Sequence, residues 1–123
     1  MNPRKKILVI YDDAAIVEFL RAKLADHDVV ATESARDAVA LAREHRPDLI
    51  VCDINMPEVD GADISAQLFD DASLRAIPFV YLTGIASPRD LAARSGHLGG
   101  RPAISKHLPP EKLLARVREL LGA

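Results

Sequence analysis

Apolar runs of strand length alternate along this chain with segments whose apolar residues recur every three or four positions. The first run, Lys6 to Tyr11, is followed by Ile16, Phe19, Leu20 and Leu24, spaced to share one face of a helix. Val29-Val30-Ala31 predicts a short second strand. Ser34-Ala35-Arg36-Asp37 then reads as a capping box for a second helix, with Ala38, Leu41 and Ala42 inward and an end near Pro47. Asp48 to Asp53 predicts the third strand, and Asp60-Gly61 a turn before a helix carrying Ile64 and Leu68 inward. Pro78 to Leu82 is the fourth strand. Ser87-Pro88-Arg89-Asp90 opens a fourth helix that Gly96, Gly99 and Gly100 end. Ala103-Ile104-Ser105 is a short fifth strand whose leading Pro102 fits only a sheet edge. Pro109-Pro110-Glu111 launches the last helix, with Leu113, Leu114, Val117, Leu120 and Leu121 as its buried stripe.

Strands that are almost continuously apolar and alternate with helices imply an α/β fold, a doubly wound parallel sheet covered on both faces. Ligands of such open sheets bind beyond the carboxyl ends of the strands. Asp12 and Asp13, Asp53, Thr83 and Lys106 all stand at or just after such ends. Taken singly, each has an ordinary structural use: a helix-capping aspartate, a turn threonine, a solvated lysine. Their weight comes from recurring together.

Composition narrows the field. With 123 residues the chain makes one domain able to bury a core. A net charge of −2 gives no electrostatic case for nucleic-acid binding, and Arg4-Lys5-Lys6 reads as a solvated lead-in to the first strand. No apolar stretch reaches the ~20 residues of a membrane span, and the N-terminus lacks a signal-peptide core. The single cysteine, Cys52, excludes a disulfide framework and reads as a small core residue, with a cytoplasmic location as the default. His27, His45, His97 and His107 have no metal-ligand spacing.

The acids carry the chemistry. Carboxylates about 5 Å apart repel by roughly 3 kcal/mol per pair at an effective dielectric near 20, so the cluster needs a cation. An all-oxygen set of small carboxylates suits Mg²⁺. Asp13 and Asp53 are expected to bind it directly, with the backbone carbonyl of Asn55; Asp12 acts through a bound water. An aspartate held against such a metal can attack phosphorus and form an acyl phosphate. The added negative charge then needs a fixed cation and a hydroxyl donor, which Lys106 and Thr83 supply.

Here the residues meet a family. The acidic pair in Ile10-Tyr11-Asp12-Asp13, the string Asp53-Ile54-Asn55-Met56-Pro57 with Asp60-Gly61, Leu82-Thr83-Gly84, Leu98-Gly99-Gly100 and Ser105-Lys106 together resemble the CheY-like receiver domains of two-component response regulators, over essentially the whole chain. The resemblance implies a flavodoxin-like three-layer sandwich with a five-stranded parallel sheet of order 2-1-3-4-5. It implies a single receiver domain over 1–123 with no output domain in this chain. It also implies transfer of a phosphoryl group to Asp53 from a phosphohistidine of a sensor histidine kinase or histidine phosphotransfer protein. The switched surface would involve the fourth helix, fifth strand and fifth helix and serve a downstream protein. Such a chain catalyses its own phosphorylation and dephosphorylation without turning over a separate substrate.

Two positions depart from the pattern. Receivers usually follow the lysine with proline, often after a cis bond; His107 stands here, and a non-proline cis bond costs about 2.5–4 kcal/mol, so Lys106–His107 is expected to be trans with a rearranged loop. Ala103 occupies the fifth-strand position where the family commonly carries tyrosine or phenylalanine, which removes the usual output relay. These departures support a competing reading, a phosphorylation-independent interaction or dimerisation module. A haloacid-dehalogenase-type hydrolase would carry Asp-x-Asp on its first strand, and a flavin site would need a loop richer in glycine and hydroxyls than Asp12-Asp13.

Overall fold

The computed structural model describes residues 4–11, 14–33, 35–53, 61–84, 88–93, 97–98 and 101–122. Strands β1 (Lys6–Ile10), β2 (Asp28–Thr32), β3 (Leu49–Asp53) and β4 (Phe79–Thr83) are separated by helices α1 (Ala14–Lys23), α2 (Ala35–His45) and α3 (Gly61–Asp70). Helix α4 (Pro88–Ala93), strands β5 (His97–Leu98) and β6 (Arg101–Ser105) and helix α5 (Pro110–Leu121) complete the chain. The sheet order is β2-β1-β3-β4-β6-β5. The five expected strands are parallel neighbours in the expected order 2-1-3-4-5, with β6 as the fifth.

The short β5 is an addition. It pairs antiparallel with β6, His97 opposite Pro102 and Leu98 opposite Arg101. Pro102 therefore does not stand on an open edge, as its missing N–H suggested. The ladder on that side is only two residue pairs long, and β4 pairs with β6 only from Ala103 onward, so the absent donor costs little.

Side-chain alternation sorts the core into two layers. Ile7, Val9, Leu49, Val51, Val80, Leu82 and Ile104 face α1 and α5, meeting Val17, Leu20, Leu24, Leu113, Val117 and Leu121. Leu8, Ile10, Ile50, Cys52, Phe79, Tyr81 and Ala103 face the opposite way, against Ala38, Ala42 and Leu68, with Leu91 of α4. The buried face of α1 centres on Val17 and Leu20, with the predicted Ile16 and Phe19 partly buried beside them. On α5 the predicted stripe is also graded: Leu113, Val117 and Leu121 are buried, Leu114 and Leu120 flank them. Burying one such leucine contributes about 1.5–3 kcal/mol, so these two stripes hold the helices in place. The Ser34 cap and the side chain of Ile64 lie outside the described residues.

The basic run before β1 is solvated at Arg4, as its position suggested, but it also ties elements of the fold together. Arg4 pairs with Asp28 at 2.8 Å, and the Lys5 ammonium donates to the Leu121 carbonyl at the C-terminus of α5. There it favours the negative end of the helix dipole. Gly122 closes that helix in the left-handed conformation (φ 73°), which glycine adopts without a Cβ clash. The backbone N–H of Lys6 donates to the Asp48 carboxylate at 2.9 Å, aligning β1 with β3.

Candidate functional site at the carboxyl ends of the strands

The parallel register decides which residues meet. Ile10 pairs with Cys52, Asp53 with Leu82, and Thr83 with Ser105. Asp53 and Thr83 thus end the adjacent strands β3 and β4, and Lys106 follows the end of β6. Tyr11 continues β1 by one residue, its N–H donating to the Thr32 carbonyl at 3.0 Å. Of the residues singled out by sequence, Asp53, Thr83 and Lys106 come together on one rim of the sheet. Asp12, Asp13 and Asn55 lie outside the described residues, so the expected metal set is described here only at Asp53.

Alternation divides this rim between the two faces. Asp53 is in phase with Leu49 and Val51, and Tyr11 with Ile7 and Val9, on the side of α1 and α5. Thr83 and Ser105 are in phase with Tyr81 and Ala103, on the other. The Asp53 residue is only 7% exposed and Thr83 is fully buried. A carboxylate this short of water is costly to ionise without compensating charge or hydrogen bonds, so its place at a strand end asks for a cationic neighbourhood.

Lys106 is held at the same rim. Its backbone N–H donates to the Thr83 carbonyl at 2.8 Å, fixing the turn after β6 to the end of β4. Its ammonium rests over the ring of Tyr11, 4.9 Å from the centroid. Gly84 makes room for the stem: a Cβ there would come within 3.3 Å of the lysine Cδ. In the sequence Tyr11 stands as a strand end and lead-in to the acidic pair, and Gly84 as part of a motif; the structure adds both to the site. An aromatic directly before an acidic pair was the available signal.

His107 makes the second tie across the same gap. Its backbone N–H donates to the Ser105 hydroxyl at 3.1 Å, and its Nε2 lies 2.9 Å from the Gly84 carbonyl. A carbonyl only accepts, so Nε2 carries the proton. No peptide bond among the described residues is cis, so Lys106–His107 is trans, as expected. At the family's aromatic position, Ala103 is buried directly opposite Tyr81 of β4. The Tyr81 ring meets Phe79 edge-on, with centroids 5.1 Å apart. An aromatic ring thus occupies this face of the sheet from the neighbouring strand.

A profile of the response regulator receiver domain matches residues 7–118. The chain belongs to the response regulator receiver family. Among curated relatives, this receiver is 32% identical over 120 residues to the polar-differentiation response regulator DivK of Brucella anthropi, covering 96% of this chain and 97% of that one. Among solved structures, it is similar to the chemotaxis response regulator CheY4 of Vibrio cholerae, with a TM-score of 0.80 and 26% identity, covering 96% of this chain and 99% of that one. It is likewise similar to the phosphorylated cyanobacterial phytochrome response regulator RcpA, with a TM-score of 0.74 and 29% identity, covering 96% and 91% respectively.

Two further features bear on what the receiver can hold. Among the described residues no group of three or more His, Cys, Asp or Glu side chains is arranged to hold a metal ion. Among the described residues singled out for the metal, Asp53 contributes a carboxylate, which fits one place in a hard-cation site. Beside the rim a cavity of about 190 Å³ is lined by Tyr11, Ala14, Val17, Glu18, Ala31, Thr32 and Glu33. The Tyr11 hydroxyl is buried with no hydrogen-bond partner among the described residues, a penalty of about 1–3 kcal/mol.

Proposed function

We propose that this receiver accepts a phosphoryl group on Asp53 from a phosphohistidine of a sensor histidine kinase or histidine phosphotransfer protein, and that the acyl phosphate switches its binding to a downstream protein. The observation that carries this reading is the nearly buried Asp53 carboxylate, with Thr83 ending the adjacent strand β4 and the Lys106 ammonium, from the end of β6, on the Tyr11 ring at the same rim. The phosphorylated state of the similar RcpA supports it. A carboxylate oxygen of Asp53 attacks phosphorus, the phosphorus–nitrogen bond of the donor breaks, and the imidazole leaves with that electron pair. Lys106 places positive charge beside the transferred group. The Thr83 hydroxyl, on the other face of the rim, donates to a phosphoryl oxygen once the group is in place.

Asp12, Asp13, Asp53 and the Asn55 carbonyl are the residues that would hold Mg²⁺. When bound, the ion supplies charge neutralisation between the carboxylates and the incoming phosphoryl oxygens. The reading takes residues 1–123 as one receiver unit, working in a reducing cytoplasm. Cys52, a buried thiol that donates to the Asp53 carbonyl at 3.2 Å, suits that setting.

Incubation with acetyl phosphate and Mg²⁺, followed by site-resolved mass measurement, tests the reading. A gain of one phosphoryl group on Asp53, absent in Asp53→Ala, is the expected outcome. Label on another residue would sink the mechanism, and no uptake at all would leave the phosphate-independent interaction module.

A further inference from the structure

A lysine ammonium on a four-carbon stem is a mobile charge, and restraining it costs side-chain entropy. Here the stem is confined from two sides. Gly84 receives it, since a Cβ at that position would stand 3.3 Å from Cδ and 3.5 Å from Cε of Lys106. Tyr11 receives the ammonium on its ring face, 4.9 Å from the centroid and within the roughly 6 Å over which a π face attracts a cation. Tyr11 is itself wholly buried in the layer under α1 and α5, so the ring is a fixed surface. An aromatic ring attracts the ammonium without neutralising it, which a carboxylate partner would do. An aliphatic side chain would fill the same core space and would not bury the Tyr11 hydroxyl, which has no partner among the described residues. What tyrosine offers over such a residue is the ring face.

We propose that Tyr11 is a positioning residue for phosphoryl uptake, its ring holding the Lys106 ammonium at the rim beside Asp53 so that an incoming phosphoryl group meets a charge already in place. Tyr11 acts through Lys106 and need not touch the transferred group. The inference rests on the reading of Asp53 as the acceptor.

Two measurements test it. The first is the rate of uptake from acetyl phosphate with Mg²⁺, in which a carboxylate oxygen of Asp53 bonds to phosphorus, the anhydride phosphorus–oxygen bond of the donor breaks and acetate leaves. The second is the proton shift of the Lys106 ε-methylene in the unphosphorylated protein, moved upfield by a ring beneath it. Tyr11→Leu is expected to slow uptake about three- to tenfold, the factor a cation–π contact of this exposure carries, and to abolish the upfield shift. Tyr11→Phe keeps the ring face and is expected to keep both within about twofold of the parent. In a Lys106→Ala background, Tyr11→Leu is expected to add no further loss.

A folded Tyr11→Leu protein with the parent rate would overturn the positioning role while leaving Asp53 as acceptor. A further loss in the Lys106→Ala background would overturn it too. No uptake by the parent chain would overturn the acceptor reading and the positioning role with it, whatever the methylene shift. Should Tyr11→Leu fail to fold, the parent spectrum decides: without an upfield shift the contact is absent and the proposal falls.

Discussion

The two ends of this sheet use charge in opposite ways. At the amino ends of the strands, charged groups meet partners within the domain: Arg4 with Asp28, Arg43 with Asp71 at 2.7 Å, Arg118 with Asp26 at 3.2 Å, and Lys5 on the α5 terminus. Most of those pairs are exposed, where an ion pair contributes about 0–1 kcal/mol, so each adds a little to the fold and none is costly to lose. At the carboxyl ends the carboxylate is buried and the nearby lysine leans on an aromatic ring. Charge at one end ties helices, loops and strands to one another. At the other, on the proposed reading, it is held for a phosphoryl group.

Substitutions at the two ends should therefore separate chemistry from stability. The largest effect is expected from Asp53→Asn, which removes the nucleophile: phosphoryl uptake should fall by at least about a hundredfold in a mass-resolved assay. Its urea midpoint should hold or rise, because a buried charge has been removed. A loss of stability matching the loss of uptake would show that Asp53 belongs with the structural charges. Next, Lys106→Met should slow uptake from acetyl phosphate by about ten- to a hundredfold with little change in urea midpoint.

At the opposite end, Lys5→Met should leave the uptake rate untouched and cost about 0.5–1 kcal/mol, read from urea unfolding. The smallest effect concerns Asp71. Hydrogen bonds from the Ser73 hydroxyl and then from the Arg43 guanidinium hold its carboxyl at about 2, below the ordinary 3.8. A carboxyl lowered on folding stabilises fully above its unfolded value and loses that contribution as pH falls through its folded value. The stability difference between the parent and Asp71→Asn should thus be constant above about pH 5 and close progressively between about pH 5 and 1. A difference that persisted at about pH 1 would assign the effect of Asp71 to something other than its charge.

The sheet was legible because its strands are short apolar runs and its helices repeat every three or four residues, two periods that are hard to confuse. Asp53, Thr83 and Lys106 were legible for a related reason: polar residues that end apolar runs in a parallel sheet must share one rim. The remainder depends on contacts the chain pattern does not encode. His97-Leu98 is too short to show any period, so β5 appears only once β6 is there to pair with it. The Tyr11–Lys106 contact joins residues far apart in sequence, and nothing local to either announces it. The ties made by the basic run were not legible because its partners, Asp28 and the end of α5, become neighbours only through the fold.

The hydrogen bond from His107 to Gly84 has a consequence for how this rim is held together. The proton that makes the link sits on Nε2, because the carbonyl can only accept. A proline at this position would offer no such donor; here the segments after β4 and β6 are joined by a bond that can open and close.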